Sequence, residues 1–212
     1  MGTLYDYYRS SACFRVRIAL RLKGVAYDTV PIHLVQDGGA QHAPEFRALN
    51  PAGLVPVWSD AHGVISQSLA ILEYLEETQP EPALLPQDPP ARAFVRSLCL
   101  SVACDIHPLN NLRVHQYLER ECDMPKERRS AWYAHWVEGG LAALERLLEQ
   151  RGLAGPFAYG ERPTLADCCL VPQVTNAIRF SCSLEHVPKV RAIYEHCMTL
   201  PEFAGAAPRA EA

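Results

Sequence analysis

Several features are missing from this sequence of 212 residues. No apolar run approaches the ~18 residues that a membrane-spanning helix needs, so no segment is expected to cross a bilayer. No basic tail or basic run occurs, and the net charge is −4, from 24 acidic and 20 basic residues. Nucleic-acid binding rests on a basic footprint, and this chain offers none. No Cys-x-x-Cys pair is present, and no histidine lies at zinc-finger spacing from two cysteines, so no metal site is expected. The opening residues MGTLYDYYRSS lack a basic segment followed by an apolar stretch, so no secretory signal is read there. Internal repeats and low-complexity tracts are absent as well.

What is present is a globular composition, with 49% hydrophobic and 21% charged residues. The length suits one large domain or two small ones and needs no covalent staple to fold. Eight cysteines stand out: Cys13, Cys99, Cys104, Cys122, Cys168, Cys169, Cys182 and Cys197. Without secretion, thiols stay reduced. The expectation is therefore a cytoplasmic protein in which most of them act as small buried hydrophobes.

The chain changes character near its middle. Residues 1–80 alternate strand-like and helical runs: a strand over Thr3–Tyr7, a helix over Ala12–Lys23 stopped by Gly24, and a strand over Ala26–Ile32. A short helix over Gln41–Leu49 follows, then a hairpin over 54–65 turning at Asp60–Gly63, then a helix over Ser66–Thr78. This order predicts a small α/β sheet domain with a right-handed crossover. Residues 81–91 form a linker, since 80–91 hold five prolines in twelve positions and cannot be a helix interior. From Arg92 to the end, residues 92–212 read as an all-helical domain. Its apolar stripes are Val95/Leu98/Val102/Ile106, Trp132/Trp136/Leu141/Leu144/Leu148, Leu170/Val174/Ala177/Ile178 and Val190/Ile193/Tyr194/Cys197. The last residues, AGAAPRAEA, are expected to fray.

Three constellations can carry chemistry. Ser10 and Ser11 precede the first helix, where free N–H groups and the helix dipole favour an anion. Their hydroxyls can cap the helix or donate to a thiolate and lower its pKa. Cys13 stands in the same segment, but no histidine base lies near it in sequence. Val55-Pro56 opens a strand; a cis bond there would leave the Val55 backbone free to pair with a peptide-like ligand. Gln67-Ser68 begins a helix and can receive a carboxylate or phosphate, or be a plain cap. A fourth pattern, Thr164-Leu-Ala-Asp167, is a capping box with a structural role.

These pieces in this order resemble the glutathione transferase superfamily over nearly the whole chain, from Leu4 to about Phe203. SSACFRVRIAL, ALNPAGLVP, QSLAILEYLEET, LLPQDP and ADCCLVPQVTNA are similar to zeta-class stretches. The resemblance implies a thioredoxin-like N-terminal domain, an all-helical C-terminal domain, a homodimer and glutathione as cofactor. It also implies a cis–trans isomerase of a small maleyl diketo acid, maleylacetoacetate or maleylpyruvate. In such an enzyme the glutathione thiolate adds to the double bond, the single bond rotates, and the thiolate leaves.

One departure is visible. The zeta pattern has cysteine directly after the two serines; here Ala12 takes that place and Cys13 follows. One residue around a helix is about 100°, so the family role of the cysteine does not carry over simply. The implied glutathione positions are Ser10, Ser11, Cys13, Arg15, Gln41, Val55, Gln67 and Ser68, with His107, Asn111 and Arg113 in the helical domain. The implied catalytic residues are Ser10 and Ser11 for the thiolate, with Arg9 and Arg179 for substrate carboxylates and developing charge. Arg15 is either a third cation for the substrate or a structural ion-pair member. Conjugation and α-haloacid dehalogenation would use the same thiolate, and a non-enzymatic binding module would not need these motifs intact.

Overall fold

The computed structural model describes residues 1–152 and 154–208. It divides into two compact units, one of Met1–Leu84 with the segment from Leu200 onward, the other of Leu85–Thr199. The closing segment, as far as Pro208, thus belongs to the first unit.

In the first unit, strand β1 (Gly2–Asp6) alternates buried and half-buried residues, with Leu4 fully enclosed. Helix α1 (Ser11–Leu22) follows, and its residues 11–20 are all buried. It ends at Lys23, and Gly24 takes the left-handed φ of +64° that a side chain would resist. Strand β2 (Tyr27–Pro31) pairs parallel with β1 at the sheet edge, where Pro31 costs no ladder bond. The expected helix over Gln41–Leu49 is broken. A 3₁₀ turn (Ala40–His42) ends at the extended Ala43, and α2 runs only over Pro44–Leu49. Pro44 explains the break, because proline pushes the residue before it out of helical geometry.

Strand β3 (Val57–Asp60) starts only after Pro56, and β4 (Gly63–Ser66) pairs back on it. β3 runs antiparallel to β1, giving the order β2-β1-β3-β4. Ser66 closes β4, so α3 (Ser68–Thr78) begins two residues later than its pattern suggests. The proline-rich stretch after α3 is tied down by a buried ion pair: Lys23 Nζ lies 2.8 Å from Glu76 and donates to the carbonyls of Gln79 and Pro82. Both Glu76 oxygens take the Leu84 N–H. The short helix α9 (Pro201–Ala204) buries Phe203 completely, and Ala206 beyond it is buried too. The expected fraying therefore fails up to Pro208, while 209–212 lie outside the described residues.

The second unit is helical: α4 (Pro89–Leu100), a π-helical segment (Ser101–Ile106), α5 (Leu112–Arg120), α6 (Lys126–Arg151), α7 (Leu165–Arg179) and α8 (Pro188–Met198). Pro89 and Pro90 open α4 in its first turn, where a missing N–H costs nothing, so the helix starts inside the expected linker. The buried stripe of α6 is Tyr133, Val137, Leu141, Leu144 and Leu148; the tryptophans expected there stand off it, with Trp136 exposed. Ile178 of α7 is likewise exposed. Glu145 caps α8 by accepting from the Lys189 and Val190 N–H groups at 2.9 and 2.8 Å. All eight cysteines are free; six are buried, while Cys104 and Cys122 are exposed. Among the described residues no helix is long and apolar enough to cross a membrane.

Candidate active site

Two adjoining devices on the first unit are built from the expected residues. The first is the turn from Tyr7 to Ser10, closed by a 2.8 Å bond from the Ser10 N–H to the Tyr7 carbonyl. Ser10 is the N-cap of α1, its Oγ accepting the Cys13 N–H at 3.2 Å. That leaves the hydroxyl hydrogen of Ser10, which is half-buried, available to donate. Ser11 is the first helical residue and is nearly sealed, at 4% exposure. Arg9 is exposed, its guanidinium 5.0 Å above the Tyr8 ring.

Cys13 requires a correction. Its side chain has 0% exposure, so it touches no ligand, and its sulfur accepts the Tyr7 N–H at 3.5 Å. Burial, then the Asp6 charge, pushes the thiol well above its ordinary pKa. A neutral, enclosed thiol is neither a nucleophile nor a contact for glutathione. Its work is to hold the turn from below.

The second device is the start of α3. Gln67 has φ 74° and ψ 119°, a conformation that ordinary side chains avoid, and its side chain makes no cap bond. The first N–H groups of α3 are therefore not capped by Gln67, and a helix end of this kind can receive an anion. Ser68 is buried, and Arg15 Nη1 donates to its Oγ at 3.1 Å across 53 residues of sequence. Arg15 is only 2% exposed, so it belongs to the support of this helix end and not to a substrate surface. Its charge adds to the helix dipole at the place where a carboxylate would sit.

Beside these, the Val55–Pro56 bond is cis. The loop before it is shaped by Asn50, whose Nδ2 donates to the Leu54 carbonyl at 2.7 Å and whose Oδ1 takes the Ala52 N–H. Gln41 is buried; its Nε2 donates to the Leu34 carbonyl at 3.1 Å, while its Oε1 is enclosed with no partner among the described residues. A cavity of about 490 Å³ opens along the neighbouring loop, lined by His33, Gln36, Asp37, Gly39 and His42. Neither His33 nor His42 was singled out in the sequence. His33 Nδ1 accepts the N–H groups of Val35 and Gln36, so its ring organises the loop; only the register of the 3₁₀ turn reveals this.

The helical unit carries the remaining positions. Asn111 caps α5 by accepting the Arg113 N–H at its Oδ1, and its amide nitrogen lies 3.2 Å from His107 Nε2. With Oδ1 occupied, it is the Asn111 amide nitrogen that faces the His107 ring. His107 is half-buried and Arg113 exposed. Arg179 is exposed at the end of α7, its guanidinium 5.4 Å from the Phe180 ring centre. Among the described residues no group of three His, Cys, Asp or Glu is placed to hold a metal ion.

Comparison with known proteins gives this geometry a context. Residues 4–83 match the family model for the glutathione S-transferase N-terminal domain, and 130–196 match that for its C-terminal domain. A probable maleylacetoacetate isomerase of Vibrio cholerae is 46% identical over 97% of this chain and 94% of its own length. A solved holo structure of a maleylpyruvate isomerase, described as a bacterial zeta-class glutathione S-transferase, is 43% identical. It superposes with a TM-score of 0.95, covering 99% of this chain and 98% of that one. The maleylacetoacetate isomerase of Methylobacterium extorquens AM1, solved with bound malonate and glutathione, is 42% identical with a TM-score of 0.93, over 97% and 96% of the two chains.

Proposed function

Because the chain belongs to the glutathione S-transferase family, in its zeta class, we propose that it is a glutathione-dependent cis–trans isomerase acting on maleylacetoacetate. The observation that carries the reading is the helix end at Gln67 and Ser68, backed by buried Arg15. The family's glutathione carboxylate needs such a place. Glutathione, when bound, supplies the thiolate that adds to the double bond and departs after rotation. Every other requirement falls to the protein.

Ser10 donates a hydrogen bond toward the sulfur and favours its ionised form. Val55 pairs through its backbone, Gln67 and Ser68 hold the γ-glutamyl carboxylate, and Gln41 is assigned to the glycyl side. Ser11 supports the α1 end from within. Arg9 takes a carboxylate of the substrate on the first unit; Arg179, on the helical unit, is assigned the same task, with the forked geometry that arginine suits. His107, Asn111 and Arg113 are assigned to ligand contact there. In this scheme the first unit serves glutathione and the helices of Leu85–Thr199 mainly the substrate. We place the protein in the cytoplasm as a homodimer, which predicts a solution mass of about twice its 23.6 kDa.

The test is turnover of maleylacetoacetate with and without glutathione. Isomerisation is expected only with it; a full rate without it would sink the proposal. Maleylpyruvate is the second reading, favoured by the TM-score of 0.95 with an isomerase of that acid. The ratio of kcat/KM for the two acids decides between them. Cys13→Ala provides a further check. The variant should keep kcat/KM within about threefold while losing roughly 1–2 kcal/mol of stability, because it removes a buried atom and no reacting group. A folded but inactive Cys13→Ala protein would return the sulfur to the mechanism.

A further inference from the structure

Arg17 has no role in the scheme above, yet it is one of the most heavily bonded side chains of the first unit. Its Nη1 meets Asp6 Oδ1 at 2.6 Å, an ion pair with only 10% and 11% of the two side chains exposed. Its Nη2 donates to the Tyr8 carbonyl at 3.1 Å, in the middle of the turn that delivers Ser10. Its Nε donates to the Ala206 carbonyl at 2.9 Å, across 189 residues of sequence. One guanidinium thus joins the end of β1, the turn and the closing segment of the chain.

We propose that Arg17 is a positioning residue. By fixing the Tyr8 peptide it sets the direction of the Ser10 hydroxyl, and the closing segment from Leu200 holds Arg17 in place. The inference rests on the glutathione reading of Ser10.

Three features support it. The forked guanidinium can serve three acceptors in different directions at once, which a lysine ammonium on a flexible stem cannot do with the same rigidity. The two anchors of the turn differ in strength: the Cys13 sulfur is a weak acceptor for the Tyr7 N–H at 3.5 Å, whereas the Arg17 guanidinium gives the Tyr8 carbonyl a charged donor at 3.1 Å. The far anchor is firm, since Phe203 is fully buried and Gly205 lies where any added carbon would strike the Arg21 guanidinium. A small displacement of a group that stabilises charge lowers the rate without abolishing binding.

The experiment compares the full chain with Arg17→Met and Arg17→Lys. Four quantities are read: the pKa of the bound glutathione thiol, from thiolate absorbance against pH; kcat and KM; affinity for S-methylglutathione, which has no thiol to ionise; and amide exchange at Tyr8–Ser10 in the protein alone. For Arg17→Met the thiol pKa should rise by about one unit and kcat fall about tenfold. Affinity for S-methylglutathione should stay within about twofold, and exchange at Tyr8–Ser10 should quicken. Arg17→Lys should lie between, because it keeps the Asp6 pair. A folded Arg17→Met protein with an unchanged thiol pKa, kcat and exchange, and only a lower melting temperature, overturns the proposal. If both variants fail to fold, a chain ending at Gly205 removes the Ala206 acceptor while sparing Arg17, Asp6 and Phe203. It should show the same signature, and an unchanged thiol pKa there is equally fatal. Wild-type protein with no thiolate signal and no glutathione-dependent turnover overturns the glutathione reading itself, and exchange then reports on the Arg17 anchor alone.

Discussion

Replacing Ser10 by alanine is expected to lower kcat/KM for the isomerisation by about 30- to 100-fold. The hydroxyl oxygen already accepts the Cys13 N–H at 3.2 Å, so the side chain is oriented before any ligand arrives. A hydrogen bond to a charged group contributes about 1.5–3 kcal/mol, and each 1.4 kcal/mol is a factor of ten in rate. Two effects combine in the variant: the thiol ionises at a higher pH, and the helix loses its cap. The second costs about 1 kcal/mol of stability and shows in the melting temperature. The first shows as a pH profile displaced to the alkaline side, since the unaided thiol needs a higher pH to lose its proton. Ser10→Thr keeps the hydroxyl and should recover most of the activity. Ser11→Ala should cost less than about fivefold, because Ser11 is sealed at 4% exposure. If Ser11→Ala proves the crippled variant while Ser10→Ala stays active, the roles assigned to the two serines are reversed.

Much of this arrangement is legible in the residues, and the limits of legibility have physical causes. Local rules held where the information was local. Gly24 ends α1 through its own φ, Thr164 and Asp167 cap α7 across one turn, and the hairpin turns where Asp60–Gly63 place it. The break at Ala43 was equally local, but the helical character of the flanking residues hid what Pro44 does to its predecessor. Leu141, Leu144 and Leu148 of the α6 stripe are buried as expected, but Tyr133 and Val137 are buried in place of Trp132 and Trp136, because tryptophan is a weaker guide to burial than its hydrophobicity suggests. It is large, carries an N–H, and Trp132 spends that N–H on the Leu109 carbonyl at 2.8 Å.

Long-range bonds were beyond reach. Arg15 and Arg17 sit in α1 and Lys23 at its C-terminal end, and in sequence each is simply a charge. Their acceptors are Ser68, Ala206 and the Gln79–Pro82 stretch, and only the folded chain brings these together. The buried state of Cys13 belongs to the same class. Its offset from the family pattern was visible, but its function as a support for Tyr7 depends on which way the helix faces. The proposed site therefore divides into a legible layer, the motifs assigned to glutathione, and a hidden layer of buried cations that the folded chain alone reveals.

The largest stability effect is expected far from that site, at Asp167. Its carboxylate is fully buried, and burial raises its pKa to about 6 against the pull of its hydrogen bonds, so it remains ionised at neutral pH. Oδ1 accepts the Ala158 N–H at 2.7 Å; Oδ2 accepts the Thr164 N–H at 2.7 Å and the Thr164 hydroxyl at 2.9 Å. Asp167→Ala leaves all three donors, and more weakly the Cys197 thiol 4.0 Å from Oδ1, enclosed without a partner. An orphaned buried donor costs about 1–3 kcal/mol, and since the cavity can relax, the sum should come to about 4 kcal/mol. At roughly 2–4 °C per kcal/mol for a chain of this size, melting should fall by about 10 °C. Asp167→Asn retains one acceptor oxygen but turns an amide N–H toward a donor, so about half of that loss is expected. Thr164→Val removes only the hydroxyl and should cost about 1 kcal/mol. None of the three should change kcat in protein that remains folded, because Arg179 lies twelve residues along α7, about 18 Å away along the helix axis. Melting curves and kcat measured on the same preparations separate the two quantities. Asp167→Ala melting within two or three degrees of wild type would show that the three donors find water or new partners, and the capping box would then be decoration rather than a support of the helical unit.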